Sequence, residues 1–357
     1  MLESCSFFRF IGTPISCERY GNGHINVTYL VRTDAGRDYI MQKINHKVFR
    51  DVPALMRNIH AVTSFLRIRE PEPRRVLTLI ETTEGAVYHR DAQGDYWRAY
   101  DFITDSICLD KPEVLEDFYQ SAVAFGGFQN QLADFPADTL NETIPHFHDT
   151  PDRYRKLRAA IQADNHGRAG EVQEEITFAL AREQEAATMM DMLRAGTLPL
   201  RVTHNDTKLN NVMLDKNTRT ALCVIDLDTV MPGLAGNDFG DSIRFGASTA
   251  AEDERDLSLV TMSLPAYEVY VKGFLSACGE RLTASEIDTL PMGAKLMTLE
   301  CGVRFLTDYL SGDTYFATHR PGHNLDRCRT QFRLVADMEH KWQQMNDIVT
   351  KYRRDAK

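Results

Sequence analysis

The stretch that most constrains this chain is His204-Asn205-Asp206-Thr207-Lys208-Leu209-Asn210-Asn211, followed by Ile225-Asp226-Leu227-Asp228. Asn211 and Asp226 stand 15 positions apart (226 − 211), separated by two short apolar runs, 212–214 and 222–225. Between the runs lies Asp215-Lys216-Asn217-Thr218, a turn-rich linker, so the segment reads as a hairpin. Such a hairpin returns Asp226 to the side of Asn211 and Asp206. Any fold that carries this pattern must set a loop, a hairpin and three polar side chains at one place. Taken singly, each half also reads as a surface loop in which Asn and Asp do turn work. Together they match phosphoryl transfer, where the protein positions a hydroxyl and neutralises phosphate charge. Asp206 then accepts the hydroxyl proton as the catalytic residue. Asn211 and Asp226 offer oxygen to a magnesium ion, the ligand type that ion prefers. Lys208 either reaches the transferring phosphate or is a solvated loop lysine.

The rest of the chain narrows the class. Its 357 residues suffice for two domains or lobes, and 43% hydrophobic with 26% charged residues is ordinary globular composition. A net charge of −10 argues against nucleic acid and against anionic membranes as partners. No apolar run approaches the roughly 20 residues of a spanning helix, and residues 1–8 lack a basic segment and a signal-length apolar run. The seven cysteines include no C-x-x-C pair, which suggests reduced thiols and a cytoplasmic location. The oligomeric state stays open.

Residues 18–103 read as strand-rich. Runs at 25–32 and 39–44 flank Asp34-Ala35-Gly36-Arg37, a second hairpin signal. Residues 52–66 carry Leu55, Ile59, Val62 and Leu66 at helical spacing, and 76–80, 86–89 and 96–103 read as three more strands. From about residue 111 the spacing turns helical. Phe118, Ala122, Phe125, Phe128 and Leu132 mark one helix. A second runs from Val172 to Leu193, with Gly196 as its stop, and a third from Met292 to Leu310. The expected fold class is α+β, with a small antiparallel sheet lobe over residues 1–103 and a larger helical lobe over 104–357.

The H-x-D-x-x-x-x-N and I-D-x-D motifs, in this order and architecture, resemble the kinase-like fold of the aminoglycoside phosphotransferase and choline kinase superfamily. Within it, several blocks resemble the N-acetylhexosamine 1-kinases. They are Gly21-Asn22-Gly23-His24-Ile25-Asn26-Val27-Thr28-Tyr29, the 201–211 block, Asp238-Phe239-Gly240-Asp241-Ser242-Ile243-Arg244-Phe245-Gly246, Glu142-Thr143-Ile144-Pro145-His146-Phe147-His148-Asp149-Thr150-Pro151 and Arg304-Phe305-Leu306-Thr307-Asp308-Tyr309-Leu310. They spread over nearly the whole chain. The resemblance implies a two-lobed protein-kinase-like fold, ATP and Mg2+ as cofactors, and transfer to the anomeric hydroxyl of N-acetylglucosamine or N-acetylgalactosamine. Other readings are a choline, homoserine or aminoglycoside kinase, and a non-catalytic nucleotide-binding scaffold.

The remaining site residues follow. Gly21 and Gly23 would let backbone N–H groups approach phosphate. His24, just after them, is either a substrate contact or an exposed loop residue. The superfamily places a phosphate-binding Lys where this chain has Gln42. Lys43 points the other way, and the 52–66 helix offers no Glu partner. Adenine is expected against the backbone around Tyr100–Phe102. His204 should be structural, as its counterpart in the fold is. Asp228 assists the metal, bonds the sugar, or caps a turn. Asp238 starts a D-F-G triplet but falls 27 positions after Asn211 (238 − 211), so it reads as a brace for the catalytic loop. Glu300, Arg304 and Asp308 form an i, i+4, i+8 stripe that suits a salt-bridged solvent face. The resemblance instead sets Arg304 and Tyr315 on the amino sugar, with Asp241 and Arg244 as weaker candidates.

Overall fold

The computed structural model describes residues 2–21 and 25–355. An antiparallel sheet forms the N-terminal lobe, in the order β1 (Pro14–Arg19), β2 (Val27–Thr33), β3 (Asp38–Ile44), β6 (Tyr96–Asp101) and β4 (Leu79–Ile80). A further short strand, β5 (His89–Arg90), also pairs with β6. The β2–β3 hairpin turns at Gly36, whose φ of +70° is open to glycine. β1 is absent from the sequence reading above. It is an edge strand with no buried residue, so it shows none of the alternation that betrays a half-buried strand.

β4 and β5 are shorter than the runs at 76–80 and 86–89 suggest. Their neighbourhood is claimed by Arg67, whose guanidinium collects the carbonyls of Glu72 at 2.9 Å and Val76 at 2.7 Å and the Thr78 hydroxyl at 2.5 Å. Backbone acceptors satisfied this way need no ladder.

The helix Val52–Arg69 starts at Asp51, whose carboxylate accepts from the Ala54 N–H at 2.9 Å, with Pro53 in its first turn. Leu55, Ile59, Val62 and Leu66 pack it into a core shared with Phe128, Leu132, Leu222, Leu227 and Val230. Asn58 fixes the same junction, donating to Val230 O at 3.0 Å and Asn141 O at 2.8 Å. The helix therefore belongs as much to the second lobe as to the first, and the core runs across the 103/104 division. A separate cluster of Phe8, Val31, Tyr39, Met41 and Trp97 backs the sheet.

Beyond residue 103, β7 (Ser106–Cys108) joins β9 (Val212–Asp215) and β10 (Ala221–Val224), and β8 (Arg201–Thr203) pairs with β11 (Met231–Gly233). Helices fill the remainder, and fold class and lobe character match the expectation. The helix expected from Val172 to Leu193 is instead broken into Gln173–Leu180, Glu183–Ala186 and Thr188–Arg194. At the break Arg182 stacks on Phe178 and pairs with Glu339 at 2.7 Å. Gly196 does terminate the last piece, with φ +73°.

The helix Ala235–Gly246 lies backbone against the long helix Leu290–Leu310. A Cβ at Gly240 would sit 2.3 Å from Gly293 O, and one at Gly293 2.2 Å from Gly236 O. Only glycine permits this approach, and it fixes the height of Asp238 and Asp241 beneath the catalytic loop.

Candidate active site

The loop after β8 is held from below by two buried carboxylates. Asp238 accepts from the backbone N–H groups of His204 at 2.9 Å and Asn205 at 2.8 Å and from Gln129 Nε2 at 2.8 Å. Burial pushes its carboxyl up, against the pull of His204 and these donors. Asp241 accepts from the Thr207 N–H at 3.0 Å and pairs with Arg244 at 2.9 Å. Both residues are thus occupied beneath the loop, which removes Asp241 and Arg244 from the candidate acceptor pocket; Arg244 also pairs with Glu252 at 2.8 Å. His204 is fully buried between Phe125 and Phe128. Its Nε2 lies 2.8 Å from Ile225 O, and its Nδ1 accepts from the Asp206 N–H at 3.3 Å. It ties the loop to the hairpin. Asn205 completes the turn in a left-handed conformation, φ +64°, donating to Thr203 O and Thr229 O.

On this base Asp206 stands half-buried at the cleft. One oxygen pairs with Lys208 Nζ at 2.8 Å and the other accepts from Asn211 Nδ2 at 3.1 Å. Burial disfavours the Lys208 charge, but Asp206 and Asp241 more than offset it and hold its pKa up. The hairpin brings the second half of the motif back as its spacing requires. Val224 pairs with Val212, and the Ile225 N–H donates to Asn211 O at 2.9 Å. Asp226 follows with φ +58°. Asp226 is open to water at its surface, but the dense protein around it, then the charges of Asp228 and Asp206, push its carboxyl up to about 6. Three carboxylates converge here, an arrangement that a cation relieves.

Among the described residues no group of three or more His, Cys, Asp or Glu side chains forms a cage for an ion. A magnesium site of another kind fits. With its Nδ2 donating to Asp206, Asn211 keeps its carbonyl oxygen for a cation. Two protein oxygens completed by phosphate and water is the usual form for this ion.

Asp228 is placed differently from the expectation of a free metal or sugar contact. It is 3% exposed, and its two oxygens are taken by Arg98 Nη1 and by Asn26 Nδ2, the latter at 2.5 Å. Gln42 lies beside this pair. Its Oε1 accepts from Arg98 Nε at 2.9 Å and its Nε2 donates to Thr28 at 3.0 Å, so it faces the sheet's polar seam. Lys43 points away, to Asp95 at 2.5 Å. Arg98 is a residue that sequence reasoning missed. The available signal was one arginine inside Tyr96-Trp97-Arg98-Ala99-Tyr100-Asp101, a strand otherwise apolar until its end.

On the nucleotide side, Gly21 turns with φ +70° and nothing stands within 4 Å of its would-be Cβ. Gly23 and His24 lie outside the described residues. Tyr100 is buried on β6, where it pairs with Ile40 and Leu79. The Phe102 N–H already donates to Asp38 O at 3.3 Å, which removes that donor from the expected adenine contact. Its ring meets Tyr20 edge-on at 6.0 Å, just before Gly21.

The stripe on the long helix is not a solvent face. Glu300 is 1% exposed and gathers His148 Nδ1 at 3.1 Å, Arg153 at 3.8 Å and Arg304 at 4.0 Å. These cations outweigh its burial and hold its carboxyl below the usual range. His148 Nε2 reaches Asn205 O at 3.4 Å, joining this network to the catalytic loop. The Arg304 guanidinium sits 5.4 to 5.9 Å from the rings of Phe147, Tyr315 and Phe316. Asp308 fixes that turn by accepting from the N–H groups of Thr314, Tyr315 and Phe316 at 2.9, 2.8 and 3.0 Å. Tyr315 itself is 70% exposed. Glu300 and His148 had a signal only in the stripe and in the Glu142–Pro151 block.

The comparisons agree with this geometry. Residues 16–270 match the phosphotransferase enzyme family, APH. The chain is similar in fold to a microcompartment-associated aminopropanol kinase, at 16% identity and a TM-score of 0.61 over 97% of each chain. It is similar to the amicoumacin kinase hAmiN, solved with AMP-PNP, Ca2+ and amicoumacin, at 12% identity and 0.61 over 95% of this chain and 92% of that one. A choline kinase from Cryptosporidium parvum Iowa II aligns at 13% identity and 0.54 over 95% and 93%. A catalytic loop braced from beneath, a hairpin that returns Asp226 to Asn211, and a family match across both lobes lead to one assignment: this chain belongs to the phosphotransferase enzyme family.

Proposed function

We infer that the chain transfers the γ-phosphoryl group of ATP to the anomeric hydroxyl of an N-acetylhexosamine, giving the sugar 1-phosphate and ADP in the cytoplasm. The observation that carries the acceptor class is the wall built on Arg304. It presents a guanidinium framed by three aromatic rings, with the Glu300 carboxylate already shared among His148, Arg153 and Arg304. An ammonium acceptor such as aminopropanol or choline would have to lie against the Arg304 guanidinium, with the Glu300 carboxylate behind it already engaged. A neutral sugar with an acetamide carbonyl meets a donor fork and flat apolar faces.

Asp206 accepts the hydrogen bond of the anomeric hydroxyl, orients it and takes its proton late in the transfer. Lys208, paired with Asp206, lies within reach of the moving phosphate. Asn211 and Asp226 would hold Mg2+, which when bound neutralises phosphate charge. Gly21 would stand on the phosphate side, and Arg304 and Tyr315 would contact the acceptor.

A coupled ADP-release screen tests this reading with N-acetylglucosamine, N-acetylgalactosamine, plain hexoses, choline, ethanolamine, 1-amino-2-propanol and homoserine. Phosphorus NMR of the product reads the position of the ester. Turnover confined to N-acetylhexosamines, with the phosphate on C1, supports it. Turnover confined to an amino alcohol would overturn the acceptor class. An absence of acceptor-dependent ATP consumption would favour a scaffold.

A further inference from the structure

The sheet strand that should carry a phosphate-binding lysine carries Gln42, and the nearest helix offers no acidic partner for one. The structure shows where the charge has gone. β3 and β6 pair with Gln42 directly across from Arg98. Arg98 is 1% exposed. Its Nε donates to Gln42 and its Nη1 to Asp228, two residues past Asp226. Asn26, just before β2, takes the other Asp228 oxygen and accepts from the Asn45 N–H at 2.9 Å. Thr28, Gln42, Arg98, Asp228, Asn26 and Asn45 thus form one polar seam joining the sheet to the Asp226-Leu227-Asp228 loop.

Glutamine suits this seam better than lysine. Its carbonyl accepts from Arg98 while its amide donates to Thr28. A lysine there would set a second cation against a guanidinium with almost no water between them. Asp228, in turn, would be an unpaired buried carboxylate without Arg98.

We propose that Arg98 is a positioning residue. By holding Asp228 it fixes Asp226 at the height where a magnesium nucleotide is bound, and so replaces the sheet lysine by acting from the neighbouring strand on the metal-side loop. This rests on the ATP and Mg2+ reading above but not on the identity of the acceptor.

The test uses the full chain and titrates a fluorescent ATP analogue with Mg2+ in the absence of any acceptor, followed by initial rates with ATP and sugar varied in turn. Arg98→Met is expected to weaken nucleotide binding by at least about tenfold, with the sugar KM within about twofold of the parent. Arg98→Lys should fall between, since one ammonium cannot hold Gln42 and Asp228 in the same fork. Arg98→Met combined with Asp228→Asn should lose less than the product of the single losses, because no unpaired charge is left buried. Gln42→Lys, with Arg98 present, should weaken nucleotide binding. Unchanged nucleotide affinity in Arg98→Lys and Arg98→Met overturns the proposal. So does tighter binding in Gln42→Lys. A loss of melting temperature with both KM values unmoved reduces Arg98 to a structural pair. If Arg98→Met does not fold, Arg98→Lys and Gln42→Lys decide alone. Failure of the sugar assignment leaves the nucleotide titration readable.

Discussion

The catalytic loop and the acceptor wall are both polar, yet they are built in opposite ways. Beneath the loop, short buried carboxylates take backbone N–H groups of residues 204–207, with side-chain donors added from Gln129 and Arg244. The wall gathers long side chains from three remote segments, near residues 147–153, 300–308 and 314–316. Among the described residues Glu300 Oε2 and Arg153 Nε have no hydrogen-bond partner, where the loop's Asp238 is satisfied on both oxygens. A fully satisfied network favours one geometry. On the proposed reading, the loop would carry the chemistry and the wall would choose the substrate.

The sharpest way to break the contrast is at the loop. Asp206→Asn should lower kcat by at least the roughly 10²–10⁴-fold worth of proton transfer, with melting temperature and nucleotide binding close to the parent. Retention of most turnover would move the chemistry elsewhere.

Next come the two carboxylates that the motif alone confuses. Asp238→Ala strands three donors, each worth about 1–3 kcal/mol, and should lower the melting temperature by roughly 5–10 °C. Asp226→Asn should abolish magnesium-dependent nucleotide binding while leaving the apo protein as stable or slightly more so. The reason is its carboxyl, raised from about 3.8 to about 6 by the surrounding protein and like charge, an effect that water at its exposed surface keeps small. The folded state binds that proton more tightly, so this group's contribution is present below about pH 4 and is lost as pH rises through about 6. Asp226→Asn should therefore flatten the apo protein's stability between those limits. A metal defect confined to Asp238→Ala would reverse the assignment.

The wall should respond more gently and more selectively. Arg304→Ala should raise the sugar KM by about ten- to a hundredfold, the worth of one charge-assisted bond, with the ATP KM unmoved. Tyr315→Phe keeps the ring against Arg304 and should cost less, since the residue is largely exposed. If both leave the sugar KM alone, the wall is not the acceptor site. Smallest of all, Lys43→Ala removes an exposed pair with Asp95 and should change stability by under about 0.5 kcal/mol and nucleotide KM not at all.

The same contrast explains what could be read in the sequence. His204, Asp206, Asn211 and Asp226 were legible because a hairpin and a loop convert short spacing directly into proximity. Asp238 as a brace was legible for the same reason. Arg98 was not, because its meaning depends on β3–β6 register, which brings together residues 56 positions apart (98 − 42). Glu300 was misjudged because a charged stripe opposite an apolar one normally faces water. Here the long helix is buried on nearly all sides, and only the tertiary placement of His148 and Arg153 reveals a polar interior. The break near residue 181 likewise arises from Arg182 reaching Glu339, a partner that no local pattern announces.

The helix Val52–Arg69, whose leucines and valines sit in a core with Phe128, Leu222 and Val230, bears on how such an enzyme can be rebuilt. A chimera cut at residue 103 would hand a foreign partner an apolar face shaped for Phe128 and Val230, with Asn58 left without its two carbonyls. Transplanting the sheet alone would be gentler on the recipient than transplanting sheet and helix together. The practical seam for domain exchange therefore lies between Ile44 and Val52, with a second cut after residue 69, so that the helix stays with the recipient.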